Sequence, residues 1–499
     1  MWRRVYLLLA LVRLYFALSP SYIHPDEHFQ GPEVIAGEVF GWPVHKTWEF
    51  TSTAPIRSLF PLWLIYGWPL TVLKWIWEGL GYGDVSPMVV FYALRVMMFM
   101  LSFVLEDWAL HELLPQRESR TATLLISSSY VTWTFQAHTF SNSIETLILL
   151  WCLVLIGRIR DDRESVQTTA CVVLAFLGVL GIFNRITFPA FLVIPAAQLL
   201  PHLFYKPLRI PILALGIITA LFFAIWTDTE FYNQSVIRFR EFRALAVVTP
   251  LNNILYNLDD SNLAKHGLHP FWQHIAANLP QLIGPAFPLV IFFLRRNMLC
   301  WSALGGVFIL SCIRHQEARF LLPAVPLLLA SIRIPLGIRK YWIGLWIIFN
   351  IILGVLFGTY HQGGVVPAQA WITKQDNVKQ VFWWKTYSPP TWLLNGKNLE
   401  TTTIDLMGIH GSNMIDHIVA STSCGGSGNT LLVAPSANKY MASPSTDLGG
   451  VIDLQLVWNH RRHIGLDDLD FGDDGVWPTL QRVIGRRGLD VWQINRVCK

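Results

Sequence analysis

The sequence predicts a polytopic α-helical membrane protein with a small α/β or β-rich domain at its C-terminal end. Three observations lead there. Of the 499 residues, 53% are hydrophobic and only 14% are charged, where about 25% charged is usual for a soluble domain. Apolar runs approaching the ~20 residues that cross a bilayer recur through residues 1–358. Within 359–499, Gly, Ser, Asn and Asp increase and the apolar stretches shorten to pieces such as "NTLLVAPS" and "LDVWQINR", which read as strands. The 22 Trp and 30 Phe suit interfacial aromatic belts. A net charge of +5, scattered in short basic clusters, marks no nucleic-acid surface.

In chain order, Val5 to Leu18 follows Arg3 and Arg4 in the manner of a signal sequence. Arg13 interrupts it and "FALSPS" is a poor cleavage site, so an uncleaved anchor is expected. Further spans are expected near 88–105, 121–137, 144–156, 166–182, 188–200, 210–226, 282–294, 299–313, 320–332 and 341–358. Several are short and carry Pro, which suits the thin endoplasmic reticulum bilayer.

With a cytosolic N-terminus, the basic connections around Arg117/Arg120, Arg158/Arg160/Arg163, Lys206/Arg209, Arg295/Arg296 and Arg333/Arg339/Lys340 all fall on the cytosolic side. The first loop (19–87), 138–143, 183–187, 227–281, 314–319 and the tail from 359 are then lumenal. One segment, 57–81, is apolar enough to cross, but a single crossing there would reverse every later basic cluster. It is therefore expected to be a re-entrant or interfacial pair of short helices, broken near Trp68 and Pro69.

This sidedness gathers unusual polar groups at one face: "HPDEHFQ" (24–30), "FSNSIET", "NRI", "TDTEFY", "AKHGLHP" and "RHQEARF". Ionisable groups near membrane depth are costly, so each alone reads as a solvated loop or cap, and their common placement reads as a working site. Asp26 and Glu27 are adjacent, so they should point apart and not share a proton. A single carboxylate suffices as general base for glycosyl transfer from a lipid phosphate, because the phosphate leaves without an acid. It needs positive charge instead, for which Arg57, Lys265, His266, His269, Arg314, His315 and Arg319 are candidates.

"YIHPDEHFQGPEVIAG", "APIRSLFPL", "GLHPFWQHIAANLPQLIGP" and "RHQEARFLLPAVPLLLA" together resemble the mannosyltransferases of glycosylphosphatidylinositol (GPI) and N-glycan assembly in the endoplasmic reticulum. The HPDE form, with Gln30 and the following "PEV", is most similar to the fourth-mannose branch of that family, as is the acidic tail segment "HIGLDDLDFGDDGVWPTLQRVIGRRGLDVWQI". The resemblance covers nearly the whole chain. It implies a C-type glycosyltransferase (GT-C) fold, and transfer of mannose from dolichyl phosphate mannose to the third mannose of a GPI precursor, in α-1,2 linkage with inversion. It also implies Asp26 as the base with Glu27 second, and His315, Glu317 and Arg319 in donor or acceptor binding, with His266 and His269 in a matching loop; His24, Arg57 and Lys265 are expected as further substrate contacts. The alternatives are a sister enzyme of the same compartment acting on another acceptor, a lipid transporter or flippase, and a non-catalytic scaffold. A transporter should show internal repeats and mid-membrane binding residues, and no convincing repeat is visible.

No metal motif stands out, so no cofactor and metal independence are expected. "GLDDLDFGDDG" lacks the EF-hand spacing and reads as a solvated turn. Four of the six Cys lie in apolar spans, while Cys424 and Cys498 can pair only if they share an oxidising compartment. Asn233-Gln234-Ser235 is a glycosylation sequon whose closeness to Trp226 argues for non-occupancy.

Overall fold

A computed structural model describes residues 2–161, 167–265, 267–396, 399–422, 428–441 and 452–496. Cys424, Cys498 and His266 fall outside the described residues. Among the described residues, seven helices have the length and apolarity to cross a bilayer, at Pro87–Leu113, Ser141–Arg160, Gln167–Asn184, Phe188–Tyr205, Arg209–Asn233, His274–Phe292 and Arg339–Tyr360. A shorter apolar helix covers Met298–Ser311. The chain is a multi-pass membrane protein. It divides into two compact units: Met1–Leu14, Lys46–Pro69 and Val96–Ile352 form one; Tyr15–His45, Leu70–Arg95 and Leu353–Lys499 form the other.

The first unit is a bundle whose helices approach closely where side chains are small. A Cβ on Gly306 would stand 2.1 Å from the Phe191 ring, so only glycine lets Met298–Ser311 meet Phe188–Tyr205 at this distance. Ser302 completes the contact by donating to the Phe191 carbonyl at 2.7 Å. Two expected spans are shorter helices here. The 121–137 run ends as a helix at Ser127, with separate turns at Tyr130–Trp133 and Phe135–Ala137; in the 320–332 run only Ala324–Ser331 is α-helical, following Pro323.

The segment from 57 to 81 corrects the expected break at Trp68 and Pro69. Phe60–Leu62, a π-helical turn at Trp63–Gly67 and Trp68–Gly79 follow one another without interruption. The wider turn accommodates Pro69, which lacks an N–H: Trp68 donates instead to the Trp63 carbonyl, five residues back. Gly67 is required because a Cβ there would lie 2.3 Å from the Trp63 indole. At the start of this run, Asp228 accepts from the Ser58 hydroxyl at 2.9 Å, the N–H groups of Leu59 and Phe60 at 2.8 and 3.2 Å, and the Thr249 hydroxyl at 2.7 Å. A buried carboxylate thus satisfies N–H groups that a helix start leaves open.

The second unit is built on a five-stranded mixed sheet. Its strands are β1 (Val378–Trp383), β2 (Thr402–Asp405), β3 (Asn429–Pro435), β4 (Ile452–His460) and β5 (Leu489–Arg496), ordered β2-β1-β3-β5-β4. β1 runs parallel to β2 and β3, whereas β5 is antiparallel to β3 and β4, with Leu432 opposite Trp492 and Val433 opposite Val491. Both stretches read as strands from sequence, "NTLLVAPS" and "LDVWQINR", are therefore central neighbours. Alternation sorts the side chains: Val381, Trp383, Leu431, Val433 and Val491 enter one core cluster, and Phe382, Trp384, Leu432, Ala434 and Trp492 the other. Helix Gly411–Ser421 contributes Met414 and Ile418 to the second cluster. Helix Val365–Ile372 and, from far earlier in the chain, Tyr22 complete the first.

Replacing Asp228 with Ala should leave several buried donors unmatched and cost about 3 kcal/mol or more, read as a lower half-inactivation temperature in detergent. Asp228→Asn, which retains one acceptor oxygen, should lose less.

Candidate active site

The "HPDEHFQ" stretch forms a single helical turn. Glu27 donates its N–H to the His24 carbonyl at 3.1 Å, His28 and Phe29 donate to Pro25 at 3.0 Å, and Gln30 donates to Asp26 at 3.2 Å. Pro25 suits the position because the first N–H groups of a helix have no partner to lose. Successive residues of such a turn point about 100° apart, so the adjacent acids diverge.

Glu27 is fully buried. Its carboxylate accepts from the Ile23 N–H at 3.0 Å, stands 3.7 Å from Arg95 and 3.7 Å from His28 Nε2. Arg95, itself buried, donates to the Ser21 carbonyl at 2.8 Å and lies over the Phe91 ring at 5.0 Å. Asp26, with 20% of its side chain exposed, lies 3.3 Å from His24 Nδ1 and accepts a hydrogen bond from Gln30 one turn later. Glu27 therefore fixes the turn from inside, and Asp26 is the carboxylate left partly exposed.

The turn is tied to the sheet on which the second unit is built. Tyr22 donates to the Ser388 carbonyl at 2.8 Å and packs edge-on to His28 and Tyr387. His361 Nε2 lies 3.2 Å from the Ile23 carbonyl, and Glu33 accepts from the N–H groups of His45 and Trp392 at 2.8 and 3.2 Å. Burial pushes the Glu33 carboxyl up to about 8, against the opposing pull of these backbone donors.

In the other unit, the "RHQEARF" motif forms a second constellation. His315 Nε2 is 2.9 Å from Glu317, which also accepts from Arg319. His315 Nδ1 lies 3.2 Å from the Gly267 carbonyl, and the His269 backbone donates to Arg314 at 2.8 Å. Gln316 donates to His269 Nδ1 at 3.3 Å. The hydrogen bond to Glu317 raises the His315 pKa and so favours the imidazolium. The Phe320 ring meets His315 edge-on and lies 5.1 and 5.7 Å from the guanidiniums of Arg185 and Arg319.

Of the predicted residues, His24, Asp26 and Glu27 thus cluster in one unit, and His269, His315, Glu317 and Arg319 in the other. Arg57 stands apart, its Nε and Nη2 both on Glu49 Oε1 at 3.1 and 2.9 Å. Lys265 is exposed and donates to Asn262 at 3.2 Å, while Arg314 lies 3.5 Å from Asp260. One supporting residue, Arg95, was not singled out from sequence; Arg185, in the "NRI" group, lies 3.4 Å from Glu145 and 2.9 Å from Ser141. A lone Arg inside the apolar run "FYALRVMMFM" was the available signal for Arg95, because such a charge needs a buried acid. Among the described residues, no group of three or more His, Cys, Asp or Glu is placed to hold a metal ion. The acidic tail stretch, expected as a solvated turn, forms two short helices, Leu466–Asp468 and Phe471–Asp474, with Asp468 buried and Asp470 accepting from the Gly472 N–H at 2.9 Å. The sequon's Asn233 Nδ2 donates to the carbonyls of Thr229 and Leu245 at 2.8 and 3.3 Å.

This fold has a solved counterpart. The chain is similar to ArnT from Cupriavidus metallidurans, bound there to undecaprenyl phosphate, with a TM-score of 0.54 and 13% identity over 98% of each chain. Together with the mixed C-terminal sheet, that likeness gives the fold class: a multi-span helical membrane protein with the fold seen in ArnT. Residues 4–395 match the Alg9-like mannosyltransferase family, and the chain belongs to it. It is 47% identical to GPI mannosyltransferase 4 of Aspergillus oryzae over 99% of each chain. Identity to the enzyme of the same name is 46% in Emericella nidulans, over 99% of this chain and 98% of the relative, and 34% in Saccharomyces cerevisiae, over 93% and 94%.

Glu27→Ala should strand Arg95 as an unpaired buried charge, costing about 3–5 kcal/mol; immunoblots of membranes should show depleted protein, whereas Asp26→Asn accumulates normally. Glu33 supplies a pH signature. Its carboxyl titrates near 4.5 when unfolded and near 8 when folded, so its stabilisation is full below the first value and lost as pH rises through the second. Glu33→Gln should lack this loss, and the difference in half-inactivation temperature should shift in the variant's favour from about pH 5 to about pH 8.5.

Proposed function

We propose that this mannosyltransferase adds the fourth mannose to a GPI precursor, moving it from dolichyl phosphate mannose to the third mannose in α-1,2 linkage with inversion. The observation that carries the reading is near-end-to-end identity of 47% to GPI mannosyltransferase 4 of Aspergillus oryzae. The substrates are a lipid-linked sugar and a lipid-linked glycan, and the enzyme works in the endoplasmic reticulum membrane. Its N-terminus is cytosolic, and its first loop, 314–319 and C-terminal region are lumenal, as the distribution of basic loops supports.

Asp26 acts as the general base. The acceptor hydroxyl oxygen attacks the anomeric carbon, its proton passes to the Asp26 carboxylate, and the bond to the phosphate oxygen breaks with its electron pair leaving on the phosphate. The exposure of Asp26 beside a buried, already matched Glu27 supports this division of roles. Glu27 holds the turn and His24 lies beside the base.

Within the first unit, His315 and Arg319 share Glu317 and offer N–H donors of the kind that bind an anionic or hydroxyl-bearing substrate. Glu317 orients both side chains, and His269 supports the loop through Gln316. Arg57 is neutralised by Glu49 and serves as an anchor of its segment in the absence of substrate.

The test compares the intact protein with Asp26→Asn in microsomes supplied with dolichyl phosphate mannose and a GPI precursor bearing three mannoses. The intact protein should form the four-mannose product, and the variant should be slower by about 10²–10⁴-fold at equal abundance. Absence of product from the intact protein would refute the acceptor assignment; equal rates would refute Asp26 as the base.

A further inference from the structure

Between the spans Arg209–Asn233 and His274–Phe292 the chain forms a helix, Thr249–Leu258, whose amphipathy is inverted. Its polar side faces the protein. Asn252 and Asn253 donate to the carbonyls of Pro55 and Ile56 at 3.0 and 3.4 Å, and Thr249 donates to Asp228 at 2.7 Å. Its apolar side faces outward: Leu251, Ile254, Leu255 and Leu258, which share one stripe of the helix, keep 51, 43, 58 and 74% of their surface exposed. A helix bordered by water turns the opposite way, with Leu inward and Asn outward.

The stretch before this helix shows what lies outside it. Only 11% of the apolar window of Arg209–Asn233 is buried, so that span presents its sides to lipid. After Asn233 the chain folds back along the span. The Phe242 ring lies 5.2 Å from Trp226 and 5.5 Å from Phe222, and the Phe239 ring lies 6.5 Å from Phe222. Trp226 stands about two helical turns before Asn233, so these rings extend the lipid-facing surface. Arg238, Arg240 and Arg243 are exposed beside them, and among the described residues none of the three takes part in an ion pair. With Glu241 as its one acid, the stretch 238–243 carries a net positive charge.

We propose that residues 236–258 form a phospholipid-docking surface, in which the stripe of Leu251, Ile254, Leu255 and Leu258 lies among acyl chains at the membrane boundary and the three arginines hold headgroup phosphates. A guanidinium fork fits the oxygens of a phosphate, and an apolar stripe beside such forks matches a leaflet that is anionic at its surface and apolar beneath. Free phosphate would satisfy the arginines and leave the stripe in water. A second copy of this chain, docked by the same face, would set like charges against each other. The leaflet satisfies both parts at once. Through Asn252, Asn253 and Thr249 the docked helix also steadies residues 55–60, which Asp228 holds from the other side. The proposal is independent of the acceptor and of the base.

The test places the photoreactive residue p-benzoylphenylalanine at Leu255, and in a second preparation at Leu258, in the full-length protein. Both preparations are illuminated in microsomes and in vesicles of phosphatidylcholine with about one part in five phosphatidylserine, and mass spectrometry identifies what each position captures. Phospholipid adducts are expected in both membranes. In the vesicles phosphatidylserine should be captured at least about threefold above its share, and this excess should vanish in Arg238→Gln/Arg240→Gln/Arg243→Gln. An adduct to another protein, to a second copy of this chain or to a dolichyl lipid names a different occupant and overturns the proposal, as does a probe that captures no lipid. Phospholipid adducts without an excess of phosphatidylserine overturn the role given to the arginines. Should the Leu255 preparation accumulate poorly, the Leu258 preparation, on the same stripe, is read by the same criteria.

Discussion

A carboxylate removed from water must be matched, and Glu27 meets that requirement through Arg95, which also donates to the Ser21 carbonyl. The remaining features of the "HPDEHFQ" turn follow from this pair. Glu27 also accepts the Ile23 N–H, so residues 21–27 wrap around one buried charge. With Glu27 directed inward, the rotation per residue of the turn directs Asp26 elsewhere, where Gln30 and His24 hold it. Two neighbouring acids thereby acquire opposite duties without any difference in their local sequence context.

The same economy appears in the helical unit. Asp228 places one carboxylate against four donors from distant segments. Glu145 matches Arg185 and accepts from Thr187 at 2.8 Å. Each buried charge is a junction between segments that apolar packing alone would leave free to slide, because dispersion contacts carry little directional preference.

Much of this was legible in the sequence where the physics is local. Hydrophobic runs marked the spans, and the alternation in "NTLLVAPS" and "LDVWQINR" marked the two central strands. The divergence of Asp26 and Glu27 follows from adjacency, and Glu317 meets His315 and Arg319 at a spacing of two residues on either side. The helix from Phe60 to Gly79 was misread because Pro69 signals a break, whereas a π turn accommodated it through the contact of Gly67 with Trp63. Non-local partnerships left the faintest traces. Nothing near Tyr22 says that its ring completes the core of a sheet whose first strand begins at Val378, and nothing near Glu33 names Trp392 as its donor.

That remote placement of Tyr22 has a consequence for how the chain is made. The ring emerges early in synthesis, but Val433, Leu489 and Val491, which share its core, emerge last. At about 5–20 residues per second, the first loop waits roughly half a minute to a minute and a half before its packing partners exist. During that interval the acids and histidines of the turn stand beside a newly inserted helix without the sheet that shapes them. The turn thus acquires its packing only at the end of translation, and an incomplete chain inserted in the membrane carries the motif without the core that supports it.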